Sequence, residues 1–206
     1  MQNRLMTAAA ALAAALLLTL PVSSAASRLS YSNKEFRIMW ASLTFSESNG
    51  GFPITCPVTL EGSFAERTHV KTRDLVTARI TTANVGTCQE GNGTILAVSL
   101  PWEVTYQSFT GLLPNITGVR YALIGAAFQI EPGLGIACLA RTSAEAPAAG
   151  EARRDSFGRI TSLTTDPRLL IPITGSAECP RFGIFTGTGE VFVQGSSSTR
   201  VTLSLI

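Results

Sequence analysis

The run Ile54-Thr55-Cys56-Pro57-Val58-Thr59-Leu60-Glu61 places an apolar residue at every second position. A period of two puts Ile54, Cys56, Val58 and Leu60 on one face, as in a strand with one buried side and one wet side. The same period recurs outward from this run. Val76, Ala78 and Ile80 alternate with Thr77, Arg79 and Thr81, and Leu100, Trp102, Val104 and Tyr106 with Pro101, Glu103, Thr105 and Gln107. Val201, Leu203 and Leu205 alternate with Thr202 and Ser204. Phe36, Ile38 and Trp40 share one parity and Ala41, Leu43 and Phe45 the other, which predicts a β-bulge near Trp40. Gly91-Asn92-Gly93 and Thr186-Gly187-Thr188-Gly189 read as hairpin turns, because these residues accept positive φ. No segment beyond the first 26 residues carries a 3.6-residue period. The expected fold is all-β, an antiparallel sandwich or barrel of about 11–12 strands, in one domain over residues 27–206.

Residues 1–26 read as a signal peptide. Arg4 precedes an Ala- and Leu-rich run, Pro21 breaks it, and Ser23-Ser24-Ala25-Ala26 offers small residues for cleavage near Ala25 or Ala26. Arg4 is one of the 16 basic residues, so 15 remain against 14 acidic ones, a balance that excludes a nucleic-acid binder and gives no basic patch for an anionic membrane. No later stretch approaches the roughly 20 apolar residues of a spanning helix, so the chain is expected not to be membrane-spanning. An outer-membrane barrel is disfavoured by the short strands and the non-aromatic C-terminal Ile206. The expected location is secreted or in the cell envelope.

Cys56, Cys88, Cys138 and Cys179 follow the leader at spacings of 32, 50 and 41 residues. An even count in an exported chain reads as two disulfides, and the absence of close ligand pairs argues against zinc. The pairing comes from an internal repeat. Gly51 to Cys56 matches Gly133 to Cys138 at an offset of 82; Ser63-Phe64, Thr68, Thr72 and Ile80-Thr81 match Ser156-Phe157, Thr161, Thr165 and Ile173-Thr174 at 93; Cys88 matches Cys179 at 91. Repeat one covers about 36–110 and repeat two about 119–206. One bond inside each copy gives Cys56–Cys88 and Cys138–Cys179 as structural disulfides, in a pseudo-twofold architecture. The change in offset falls on Thr142–Asp155, which holds no large apolar residue and is expected to be a mobile loop, 142–155.

The usual catalytic chemistries lack their parts. A Ser or Cys nucleophile needs a base, and His69 is the one histidine. With Val70 inward, His69 would face solvent beside Lys71 and Arg73; assistance from Asp74 is the catalytic alternative. The acids are scattered singly, and Glu103 falls on a wet face, although two of them could still meet as a glycosidase pair. Trp40, Trp102 and Tyr106 share the parity of apolar neighbours and read as core rather than as a sugar platform. No catalytic, cofactor-binding or metal-binding residue is assigned.

Cys56-Pro57-Val58-Thr59-Leu60-Glu61-Gly62-Ser63-Phe64, Leu100-Pro101-Trp102-Glu103-Val104-Thr105-Tyr106 and Gly111-Leu112-Leu113-Pro114-Asn115-Ile116-Thr117-Gly118 resemble a group of uncharacterised exported β-rich proteins of soil-type actinobacteria. The resemblance implies an exported bacterial protein and carries over no functional residue. The expected function is a non-enzymatic β-scaffold with an envelope or extracellular interaction role toward an unknown partner, with contacts at the turns around Asn92 and Thr188 and at 142–155. The alternatives are a β-barrel carrier of a small apolar ligand, and a carboxylate-dependent glycan hydrolase.

Overall fold

The computed structural model describes residues 28–206 apart from positions 52, 133 and 134; the expected signal peptide lies outside the described residues. Sixteen strands, numbered in chain order, and one 3-10 turn at Ala97–Ser99 make up the described chain. The count exceeds the expected eleven or twelve because several strands are only three or four residues long. Eight strands close into an antiparallel barrel: β2 (Glu35–Glu47), β3 (Ile54–Phe64), β5 (Val76–Val85), β7 (Trp102–Leu112), β8 (Asn115–Ile124), β11 (Ala148–Arg154), β12 (Ile160–Thr165) and β15 (Thr188–Val193). Each pairs with the next, and β15 returns to β2 through Phe36–Met39. Closure leaves this sheet no free edge to template aggregation.

The alternation read from the sequence sets which side faces in. Ile54, Cys56, Val58 and Leu60 are all buried, as are Ala78, Ile80, Trp102 and Tyr106. Along β2 the buried residues are Phe36, Ile38 and Trp40, then Leu43 and Phe45. The β2–β3 register slips between Trp40 and Leu43, so the expected bulge is present. Outside, the wall is charged: Arg37 lies opposite Glu61, Arg79 opposite Glu103 and Arg120 opposite Glu151. Apolar inside and charged outside is the reverse of a transmembrane barrel. No helix among the described residues is long and apolar enough to cross a membrane.

Two smaller sheets complete the fold. At one end β1 (Arg28–Tyr31) pairs with β16 (Leu203–Leu205) and β4 (Thr68–Val70). Their inward residues Leu29, Tyr31, His69 and Leu203 are buried; Tyr31 stacks on Phe64 at the end of β3 with ring centroids 3.9 Å apart. From the other end a side sheet extends in the order β14 (Phe182–Thr186), β13 (Ile171–Gly175), β10 (Cys138–Arg141), β9 (Ala127–Glu131), β6 (Asn92–Ile95). It joins the barrel where β14 pairs with Thr44–Glu47, beyond the β2 bulge.

Cys56–Cys88 ties β3 to the β5–β6 connection, and Cys138–Cys179 ties β10 to the β13–β14 connection. Each closes a loop of 32 or 41 residues, for which chain entropy gives roughly 3–4 kcal/mol.

Three expectations are corrected. The segment 142–155 is no mobile loop: β11 is a barrel strand bonded to β8 through Gly118–Leu123 and to β12 through Ile160–Thr165. Backbone pairing on both edges orders it without large side chains, because its own carbonyls and amides supply the bonds. Thr186–Gly189 is no hairpin, since β14 and β15 follow one another along the same edge of β2, with Gly187 against the bulge at Ser42-Leu43. Asn92-Gly93 lies within β6 rather than in a turn, paired with β9. The segments matched in the repeat also take different places: Cys56 and Ile80 sit in the barrel, and their counterparts Cys138 and Ile173 in the side sheet.

Candidate functional site: the barrel interior

Tight packing fills most of the barrel, yet a cavity of about 140 Å³ remains inside it, bordered almost wholly by apolar side chains. The cause lies in β11. Its inward residues are Ala148, Gly150 and Ala152, while Glu151 and Arg153 project outward to pair with each other and with Arg120. Two alanines and a glycine at alternate positions leave unfilled the space that facing residues of β2 and β3, such as Ile38, Trp40 and Leu60, do not reach. At Gly150 the wall has no side chain, and a Cβ there would lie 2.9 Å from the Thr164 carbonyl oxygen.

The terminal cap supplies one end of the cavity. Tyr31 reaches from β1 to hydrogen-bond the hydroxyl of Tyr121 on β8. Burial holds both phenols well above their ordinary pKa, and the shared bond helps keep Tyr121 neutral. At the other end the aromatic series Trp102, Phe128, Phe185 and Phe45 runs at centroid spacings of 5.0–5.3 Å from the barrel into the side sheet. Asp166 and Leu169, on the β12–β13 connection, complete that end. The Asp166 carboxylate accepts from Arg168 Nε at 2.9 Å and Nη2 at 2.7 Å, which lowers its pKa against the opposing effect of burial. Trp102 Nε1 donates to Ser99 Oγ at 2.8 Å. Trp40 differs: its ring borders the cavity and lies over Gly189, where a Cβ would come within 2.8 Å of it, and its buried indole N–H has no acceptor among the described residues.

The structure re-sites the residues singled out from the sequence. His69 is buried and Val70 is 41% exposed, the opposite parity to that expected. β4 is only three residues long, and its pairing with β1, Leu29 opposite His69, decides which face turns in. His69 packs beside Tyr31 and Phe64, and its buried Nε2 has no hydrogen-bond partner among the described residues. Desolvation lowers its pKa, opposed by the charge of Glu66. Asp74 does not assist it; that carboxylate accepts from Gln107 Nε2 at 3.0 Å. Trp40, Trp102 and Tyr106 are core residues, as their parity predicts. Glu103 stands on the outer wall, 3.6 Å from Arg79 Nη2.

The hydrolase alternative calls for a carboxylic acid with a raised pKa beside an ionised partner. On the outer face of the β8–β11–β12 wall, Glu151 and Asp166 border one crevice, but Glu151 is paired with Arg120 and Arg153 and Asp166 with Arg168. The shift at Asp166 is downward, away from what a proton donor needs. No group of three or more His, Cys, Asp or Glu that could hold a metal ion occurs among the described residues.

Sequence reading missed Tyr31, Tyr121 and the small inward face of β11. A signal for the last was present: Ala148, Gly150 and Ala152 alternate with Ala149, Glu151 and Arg153, a period of two written in small rather than large residues. Tyr31 and Tyr121 are 90 positions apart and carry no local sign of meeting. No known protein family, curated protein or solved structure matches the chain.

Proposed function

We propose that the protein is an exported, non-enzymatic binding protein that carries a compact apolar molecule inside its barrel. One observation carries the reading: the cavity of about 140 Å³ lined by inward apolar side chains of the barrel. An apolar cavity of about 150 Å³ stays dry and binds benzene-sized molecules. Small barrels are a recurrent container for a single ligand. Work outside the cytoplasm is supported by the two disulfides, which persist where the surroundings are oxidising.

The test is calorimetric titration of the purified protein with benzene and toluene, repeated on Ala152→Leu, which adds three carbon atoms at an inward β11 position. Micromolar to millimolar binding to the native protein, weakened at least tenfold by the substitution, is expected. Equal binding by both proteins would place the ligand elsewhere and refute the reading.

A further inference from the structure

Almost every polar group that borders the cavity already has a partner. The hydroxyls of Tyr31 and Tyr121 bond to each other. Thr165 Oγ1 donates to the Gly187 carbonyl at 3.3 Å and accepts from the Gly187 amide at 3.0 Å, and Asp166 is held by Arg168. Trp40 is the exception. It is 94% buried (6% exposed), borders the cavity, and its indole nitrogen finds no acceptor among the described residues. Leaving a buried N–H without a partner is costly, and native proteins rarely tolerate it. Phenylalanine would supply a similar apolar surface without that cost. The glycine at 189 adds to the case, because a side chain there would strike the indole ring, so this stretch of wall accommodates tryptophan in particular.

Resting on the reading of the cavity as a binding site, we infer that the ligand is an uncharged, largely apolar molecule bearing one hydrogen-bond acceptor, a carbonyl or ether oxygen, which takes the Trp40 indole N–H. A charged ligand is disfavoured because the one carboxylate at the cavity, Asp166, is already neutralised by Arg168, and an unpaired charge among apolar walls is costly. A single water is a poor substitute, since a buried water needs two to four polar partners and a ligand oxygen needs one donor.

The experiment compares two probes of the same shape, cyclohexanone and methylenecyclohexane, which differ by an oxygen in place of a CH₂ group. The chain has two tryptophans, so a ¹⁵N-labelled sample gives two indole resonances, and Trp102 is already bonded to Ser99. Cyclohexanone is expected to move the Trp40 indole proton downfield, and methylenecyclohexane to bind without that shift. In Trp40→Phe, the preference for the ketone over the hydrocarbon should fall about five- to tenfold, the worth of one hydrogen bond. Should Trp40→Phe not fold, the indole shift in the native protein decides alone. Binding of both probes with no ketone-specific indole shift overturns this inference and leaves the cavity reading intact. Binding of neither probe overturns both.

Discussion

The hydroxyl pair of Tyr31 and Tyr121 makes a sharp test of how the terminal cap is fastened to the barrel, because each buried hydroxyl has the other as its partner. Tyr31 is 2% exposed, and the Tyr121 hydroxyl is desolvated too, although other parts of that residue border the outer crevice. Tyr121→Phe strands the Tyr31 hydroxyl in an apolar setting, at a cost of about 2 kcal/mol. Tyr31→Phe strands the Tyr121 hydroxyl, which is desolvated as well, and a similar cost of about 2 kcal/mol is expected. The double variant removes donor and acceptor together and should cost about 1 kcal/mol, far less than the sum, giving a coupling energy of about 3 kcal/mol. Urea denaturation measures this directly: with a slope of about 2 kcal/mol/M, Tyr121→Phe moves the midpoint by about 1 M. A second reading comes from alkaline titration. The chain has three tyrosines, Tyr31, Tyr106 and Tyr121, and burial raises the pKa of each. Phenols that are neutral in the folded state and ionise near pH 10 once unfolded contribute stability that is fully present below pH 10 and falls as the pH rises beyond it. Tyrosinate absorbance should therefore lag behind free tyrosine and appear together with unfolding. Additive single substitutions, or half-ionisation of these phenols near pH 10 in the folded protein, would refute the buried pair.

Two further outcomes follow from the same structure. His69 is held neutral by burial, so folding stability should decline as the pH falls below about 6.5, where the unfolded histidine gains its proton; as the chain's one histidine, His69→Leu should flatten stability between pH 7 and pH 5 in thermal melts, and an unchanged slope would contradict its burial. Because β11 is bonded on both edges, trypsin should cut at Arg73, in the exposed turn before β5, well before Arg153 or Arg154, and deletion of 148–154 should abolish cooperative unfolding; early cleavage at Arg153 or Arg154 would mean that β11 is not a barrel strand.

Short-range pattern along the chain accounts for the strands, their faces and the staples. Alternation in Ile54–Glu61 and Leu100–Gln107 specified strands and their buried faces, because side chains on a pleated chain must alternate and only one set can leave water. The parity change after Trp40 located a bulge for the same reason, and the matched cysteines identified both disulfides. Tertiary structure alone decided the rest. Sandwich or barrel turned on whether β15 met β2, a contact between residues some 150 positions apart that neither strand's own pattern specifies. The segment 142–155 reads as unstructured when order is sought in large apolar side chains; in the fold its backbone bonds to β8 and β12, and its small residues open the cavity. His69 is a second case: a three-residue strand has too few positions to declare its face, so pairing with β1 decided it. The candidate site lay beyond local pattern for a common reason. A cavity is space that distant strands jointly fail to fill, and a buried N–H without an acceptor is defined by everything around it, neither of which any one stretch of chain records.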